Sequence, residues 1–333
     1  AERLGAHYLT RDDNHGAKAG NLNNALEQIE ADVIAVFDAD HVAQRNFLRH
    51  TLAYFDDPRV AVVQTPQDFY NLDSFEHEGV TQDDHRPYNE EAVFYRVIAP
   101  AKNLWGGAFW CGTGAMVRVT ALRDVGMVAT ETITEDIHTT IRMNRRGWKA
   151  IYHNEVLARG LAPTDASQYM LQRHRWALGA MQVIRMENPL TGRGLTFGQR
   201  LAFASTLFGW FDSWRTLVFL LLPTAVVLTG AVPIDAPASQ YVPAFLAVFV
   251  IQSTALGLLS RGFFPPITSL LFEMVRLPAV LPATFALITG GRGATFQVTP
   301  KGAAEERTKT TVPPLLTALE VLAVISLVWF FAT

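Results

Sequence analysis

The sequence predicts an α/β domain followed by an all-α membrane region. Charged residues make up 18% of the 333 residues, against about 25% in an ordinary soluble domain. The deficit is uneven: residues 1–200 hold nearly all the Asp, Glu and His, whereas 216–289 and 313–333 hold almost none. Apolar runs of strand length alternate with helical periodicity in the first part. Stretches of the second part are uncharged for long enough to cross a hydrocarbon core about 30 Å thick.

The net charge is −3, with no basic or acidic tail, so nucleic acid has no electrostatic footprint to bind. A single cysteine, Cys111, excludes an internal disulfide and a zinc site of several thiolates, and fits a reducing compartment. The chain opens on Ala1 close to a strand, without a signal peptide. We expect a piece of a longer protein whose start lies upstream.

Residues 7–10 read as a short strand. Residues 18–29 read as a helix, with Leu22, Ala25, Leu26 and Ile29 on one face. DVIAVFDAD, residues 32–40, is an apolar run ending in acids, the pattern of a buried parallel strand whose carboxyl end meets solvent. Ligands of open α/β sheets bind outside such ends, which puts Asp38 and Asp40 where a ligand belongs. A helix near 45–55, a strand at 60–66 and a helix near 89–103 follow. GAFWCGTGAMVRV, residues 107–119, suits a strand or hairpin with a close backbone approach at Gly112 and Gly114. Thr134 opens a helix that Gly147 stops. Residues 148–157 form a strand, and 165–186 a long helix containing QRHRW.

Residues 1–195 thus make the soluble domain. Residues 196–215 form an amphipathic interface helix carrying Trp210 and Trp214. The membrane region is 216–333, with spans at 216–234, 236–260 and 313–332. The stretch 262–289, broken by Glu273, Arg276, Pro278 and Pro282, reads as an interfacial or re-entrant helix. Residues 290–310 carry Arg292, Lys301, Arg307 and Lys309, so the positive-inside rule sets them on the cytosolic side with the soluble domain.

Four segments carry candidate chemistry. Asp38 and Asp40, two apart on a strand, would share a face and suit a hard divalent cation; read alone, they are equally two solvated acids at a strand exit. Glu135 and Asp136 follow Thr134 at a helix start, where amides favour a carboxylate; alone, that is an ordinary helix start. In Gln172-Arg173-His174-Arg175-Trp176, Arg suits phosphate oxygens and Trp a sugar face; alone, this is a solvated helix face with one core Trp. Phe296-Gln297-Val298-Thr299-Pro300-Lys301-Gly302 lies between membrane segments; alone, it is a loop with a buried Phe.

Together, in this order, the segments resemble processive family 2 glycosyltransferases, bacterial cellulose synthases most of all. DAD, TED and QRHRW match the last three parts of the family pattern D,D,D,Q(Q/R)xRW. FQVTPKG matches the gating motif FxVTxK, HGAKAGNLNNAL the lysine-bearing segment, and FWCGTG the segment beside the acceptor sugar. The resemblance covers residues 8–332. It implies a nucleotide-sugar transferase (GT-A, Rossmann-like) domain in a bacterial inner membrane protein with its catalytic domain in the cytosol. It implies transfer of glucose from UDP-glucose to the non-reducing end of a growing β-1,4-glucan, with export; a β-1,3-glucan synthase and a non-processive transferase are the alternatives.

The same resemblance implies roles. Asp136, with Glu135 beside it, is the catalytic base. Asp38 contacts the uridine part of the donor, Asp40 binds Mg²⁺ or Mn²⁺ on the diphosphate, and Lys18 lies near the nucleotide. Gln172, Arg173 and Arg175 join the nucleotide-sugar contacts, over which Phe296, Val298 and Thr299 close. Trp176, with Trp110, Cys111 and Gly112, faces the acceptor. The implied partners are UDP-glucose, the glucan, the lipid bilayer and a periplasmic accessory subunit. The family's first aspartate, N-terminal membrane helices and cyclic-dinucleotide domain have no counterpart in this sequence.

Overall fold

A computed structural model describes residues 3, 5–78, 88–232, 234–291 and 311–332. Helix α1 (Ala17–Leu26) precedes β1 (Val33–Val36), β2 (Val42–Ala43) and α2 (Phe47–Thr51), which runs into a 3₁₀ turn at Leu52–Asp56. Strand β3 (Val60–Gln64) is followed by a π-helical turn at Phe94–Ile98 that leads into α3 (Ala99–Leu104). Then come β4 (Ala115–Arg118), α4 (Val119–Asp124), α5 (Glu135–Arg145), β5 (Lys149–Tyr152), β6 (Ala158–Arg159) and α6 (Ala166–Glu187). Asp165 caps α6 by accepting from the amides of Ser167 and Gln168 at 2.9 and 3.0 Å.

The main sheet has the order β1-β4-β3-β5. Strand β4 is antiparallel to both β1 and β3, and β3 is parallel to β5. Hence β1, β3 and β5 run the same way, and their carboxyl ends gather on one rim, where β4 enters from Gly112 and Thr113. The apolar run at 32–40 is therefore a strand, but not beside a parallel partner: it lies at the edge of the described sheet, against reversed β4. A continuous apolar run reports burial and leaves strand direction open. Residues 7–10, expected as a short strand, carry no regular secondary structure. The strand expected within 107–119 is confined to Ala115–Arg118, because Gly112 and Gly114 adopt positive φ just before it.

The core on one side of the sheet joins Val62, Val117, Leu122 and Tyr152 with Leu26. A second core joins Ile137 and Ile141 of α5 to Met181 and Val183 of α6, and continues into Phe203, Leu207 and Val280. Those last three belong to the C-terminal helices: α7 (Phe197–Phe208), α8 (Asp212–Thr229), α9 (Ala238–Leu259), α10 (Pro266–Thr284), α11 (Ala286–Thr289) and α12 (Pro314–Ala332). Among the described residues, four stretches are long and apolar enough to cross a membrane: Phe197–Thr229, Ala238–Leu259, Pro266–Thr289 and Pro314–Ala332. The third takes in the stretch expected at the interface, since Pro278 and Pro282 sit inside a continuing helix. That helix packs along α6, with His174 Nδ1 2.8 Å from the Ala279 carbonyl and Phe272 edge-on to Phe75.

Candidate active site

The site is built on the rim where β1, β3 and β5 end. Beyond β1 the chain turns, and the Asp38 carbonyl accepts the His41 amide at 2.9 Å. Asp38 and Asp40 therefore converge through this turn, not by alternation along a strand. Carboxylate oxygens of both, with a ring nitrogen of His41, lie within 4.8 Å of one another. His41 Nδ1 is 3.0 Å from Asp40 Oδ1. Its ring lies on Gly160, where a Cβ would come within 2.3 Å of it.

Lys18, from α1, forms an ion pair with Asp38 and donates to the Gly112 carbonyl at 2.7 Å. Thr113 Oγ1 accepts the Asp38 amide at 2.9 Å. Gln64, at the end of β3, fixes the same loop: its Oε1 accepts the Cys111 amide at 2.7 Å and its Nε2 donates to the Thr113 carbonyl at 2.9 Å. Thr113 and Gln64 escaped the sequence reading. Thr113 lies inside the quoted FWCGTG segment, but nothing in sequence marks a buried glutamine at a strand end as a loop anchor.

Glu135 and Asp136 open α5 against this loop. Asp136 Oδ1 accepts the Ile137 amide at 2.8 Å, and its Oδ2 would be 3.1 Å from a Cβ on Gly112. Helix amides and the Lys18 charge favour the ionised carboxylate, but burial wins and pushes Asp136 above the usual aspartate range. Burial, then the neighbouring Asp136 charge, pushes Glu135 up as well. Arg175 sits in the field of Glu135 and Asp38, and burial lowers its pKa against their pull. Lys18, Asp38, Glu135, Asp136 and Arg175 thus share one electrostatic neighbourhood.

Arg173, expected among the nucleotide-sugar contacts, is held in a cluster of acids at the wall of the cavity that Asp136 and Trp176 also line. It is 1% exposed and pairs with Glu90, Glu91 and Glu76 at 2.5, 2.7 and 3.2 Å. Its guanidinium is also stacked between Tyr169 and Trp176, at 4.6 and 4.4 Å. Gln172 is buried beside it, accepting from Arg173 at 3.3 Å. Two residues along a helix turn about 200°, so Arg173 and Arg175 project to opposite sides.

A cavity of about 500 Å³ is lined by Asp136, Cys111, Phe94, Phe109 and Trp176 together with Trp210, Asp212 and Arg276 of the C-terminal segment. Arg276 bridges Glu90, at 3.1 Å, and Asp212. Of the expected acceptor residues, Trp176 and Cys111 line this cavity; burial raises the Cys111 thiol well above its ordinary value. Gly112 borders it through Asp136. Trp110 does not reach it: the indole is 0% exposed and packs in the sheet core. Phe94 and Phe109 line the cavity beside Trp176. Phe296, Val298 and Thr299 lie outside the described residues, as do Arg292, Lys301, Arg307 and Lys309.

A family profile described as glycosyltransferase like family 2 matches residues 2–179, and one described as cellulose synthase matches residues 123–262. The chain belongs to the family 2-like glycosyltransferases. It is 37% identical over 302 residues to a cellulose synthase catalytic subunit (UDP-forming) of Pseudomonas fluorescens, covering 90% of this chain and 40% of that protein. With the cellulose synthase 1 catalytic subunit (UDP-forming) of Komagataeibacter xylinus it shares 36% over 309 residues, 92% of this chain and 41% of that one. The chain therefore spans about two fifths of the length of these relatives. Among solved structures, a mannosyltransferase from Pyrobaculum calidifontis, in complex with GDP-Man and Mn²⁺, matches with a TM-score of 0.52 at 17% identity, over 85% of this chain and 68% of that one. That likeness shows a GT-A fold, which the C-terminal helices follow.

Proposed function

We propose that this chain is the catalytic part of a processive, inverting glucosyltransferase that extends a β-1,4-glucan from UDP-glucose and passes it toward the membrane. One observation carries the reading. The Asp136 carboxyl lies beside Lys18 and Asp38 and lines a cavity that Asp212 and Arg276 of the C-terminal helices line as well. Donor chemistry and an exit toward the bilayer meet at one residue.

In this reading the terminal hydroxyl of the glucan attacks C1 of the donor glucose. Asp136 takes the hydroxyl proton as the new C–O bond forms. The bond to the diphosphate breaks with its electron pair, and UDP leaves with inversion at C1. Proton removal of this kind is worth about 10²–10⁴-fold. Lys18 and Arg175 supply positive charge near the leaving group. The Asp38 and Asp40 carboxylates fit a Mg²⁺ or Mn²⁺ ion as hard oxygen donors. Asp40 would hold it, and when bound it would neutralise diphosphate charge. Burial, with the Asp38 charge, keeps the proton affinity of Asp136 high, and Glu135 is buried next to it. Trp176 offers a flat apolar face to the acceptor glucose, and Phe94 and Phe109 continue that surface.

We read residues 1–195 as lying in the cytosol of a bacterial cell, at the inner membrane. Helix α10 then rests along the interface, which its packing on α6 supports, while α8, α9 and α12 cross. The gating loop 290–312, with Phe296, Val298 and Thr299, would close over the nucleotide.

The test is synthesis from tritiated UDP-glucose with magnesium by the protein in membranes. An insoluble product digested by a β-1,4-glucanase supports the proposal. Digestion by a β-1,3-glucanase would move the linkage, and short soluble products would remove processivity.

A further inference from the structure

Outside the active site, His50, His153 and Glu155 bring their ligand atoms within 4.8 Å of one another. None of the three lines the acceptor cavity. Glu155 Oε2 is 2.8 Å from His50 Nδ1 and 3.1 Å from His153 Nε2. The two imidazoles meet edge to face at 6.4 Å between centroids. They are presented by separate stretches of chain: His50 by α2, and His153 and Glu155 by the bend just after β5, where the His153 amide still donates to the Gln64 carbonyl at 2.8 Å.

A second feature adds to the triad. The Tyr54 hydroxyl, on the 3₁₀ turn after α2, lies 2.9 Å from the other nitrogen of His153, Nδ1. That contact fixes which nitrogen of His153 faces Glu155. Ligating histidines carry such an outer partner as a rule, and its loss costs about 10–100-fold in metal affinity. The triad is part-exposed, with side-chain exposures of 36%, 19% and 43% for His50, His153 and Glu155, so water can complete a fourth position.

We propose that His50 Nδ1, His153 Nε2 and Glu155 form a binding site for a zinc-class divalent ion, with Tyr54 as the outer partner of His153. Two imidazoles and a carboxylate with one open position match a tetrahedral zinc centre and not the all-oxygen octahedron of magnesium. His50 Nδ1 also lies 3.3 Å from the Asn46 amide, a weak contact the ion would replace. The bound ion staples α2 to the exit of β5. It would thereby brace the stretch in which β6 pairs with β2, immediately after Asp40 and His41.

The test uses the purified whole chain in detergent, with magnesium in excess so that the acidic pair at Asp38 and Asp40 is occupied. Zinc is titrated by calorimetry, and cobalt(II) replaces it for visible spectroscopy. One zinc per chain at micromolar affinity and an intense tetrahedral d–d band are expected. Tyr54→Phe should weaken binding by about 10-fold or more, and His50→Ala with His153→Ala should remove it. UDP binding by each variant reports that the domain is folded. A wild-type protein with only the weak octahedral cobalt band, or unchanged zinc affinity in the folded double variant, overturns the proposal.

Discussion

Lys18 Nζ donates to the carbonyl of Gly112 at 2.7 Å, across 94 residues of chain. The same ammonium pairs with Asp38, so one side chain ties the carboxyl end of β1 to the loop facing Asp136. Replacing Lys18 with Met should loosen both and weaken UDP binding by about tenfold or more, since a charge-assisted contact is worth about 1.5–3 kcal/mol. Calorimetry with UDP and magnesium checks this.

The pH dependence has a defined sign. Burial raises Asp136, and Lys18 opposes the rise. The acid limb of kcat should therefore lie above the ordinary aspartate range. Lys18→Met, by removing the opposing charge, should move it to still higher pH. A limb that stays in place, or moves to lower pH, would separate Asp136 from proton transfer.

Asp136→Asn should abolish elongation yet leave UDP binding nearly intact. It should also stabilise the protein at neutral pH. A carboxyl whose folded pKa is raised holds its proton more tightly in the native state, so stability is lost as pH rises from the unfolded value through the folded one. The neutral amide escapes that loss. Tm of the variant should exceed wild type at neutral pH, and the gap should shrink in acid.

Gly112→Ala places a Cβ 3.1 Å from Asp136 Oδ2 at a φ of +85°. Left-handed backbone costs about 1–3 kcal/mol for such a residue, and the Asp136 carboxylate must shift to make room. Lower Tm and a fall in kcat exceeding any change in KM are expected from unfolding and rate measurements.

Arg173→Met should destabilise the fold by about 3–5 kcal/mol, because it strips the shared cation from the buried Glu76 and Glu91 and from half-buried Glu90. Chemical denaturation measures it. Arg175→Met should instead leave stability nearly unchanged and depress turnover, a contrast between two arginines of one motif.

That contrast also marks how far the sequence could be read. Helix positions along α5 and α6, and the strands at 33–36 and 60–64, follow from apolar periodicity because periodicity reports which face is buried. The opposed directions of Arg173 and Arg175 were available from helical geometry, but the partners were not. Glu76, Glu90 and Glu91 come from a distant stretch, and only the fold brings them to one guanidinium. Trp110 shows the same limit, since a strand-like segment with two left-handed glycines no longer alternates sides. Asp38 and Asp40 follow the end of β1, as the apolar run suggests, but a turn, not the pleat, makes them converge.

The ionic seam through Arg276 reaches Glu90 on one side and Asp212 on the other, and Phe272 wedges against Phe75 and Tyr169. Severing the chain near residue 195 would strand acids in a greasy wound. A water-soluble enzyme should not be obtainable by trimming, and amphiphile choice should tune catalysis itself.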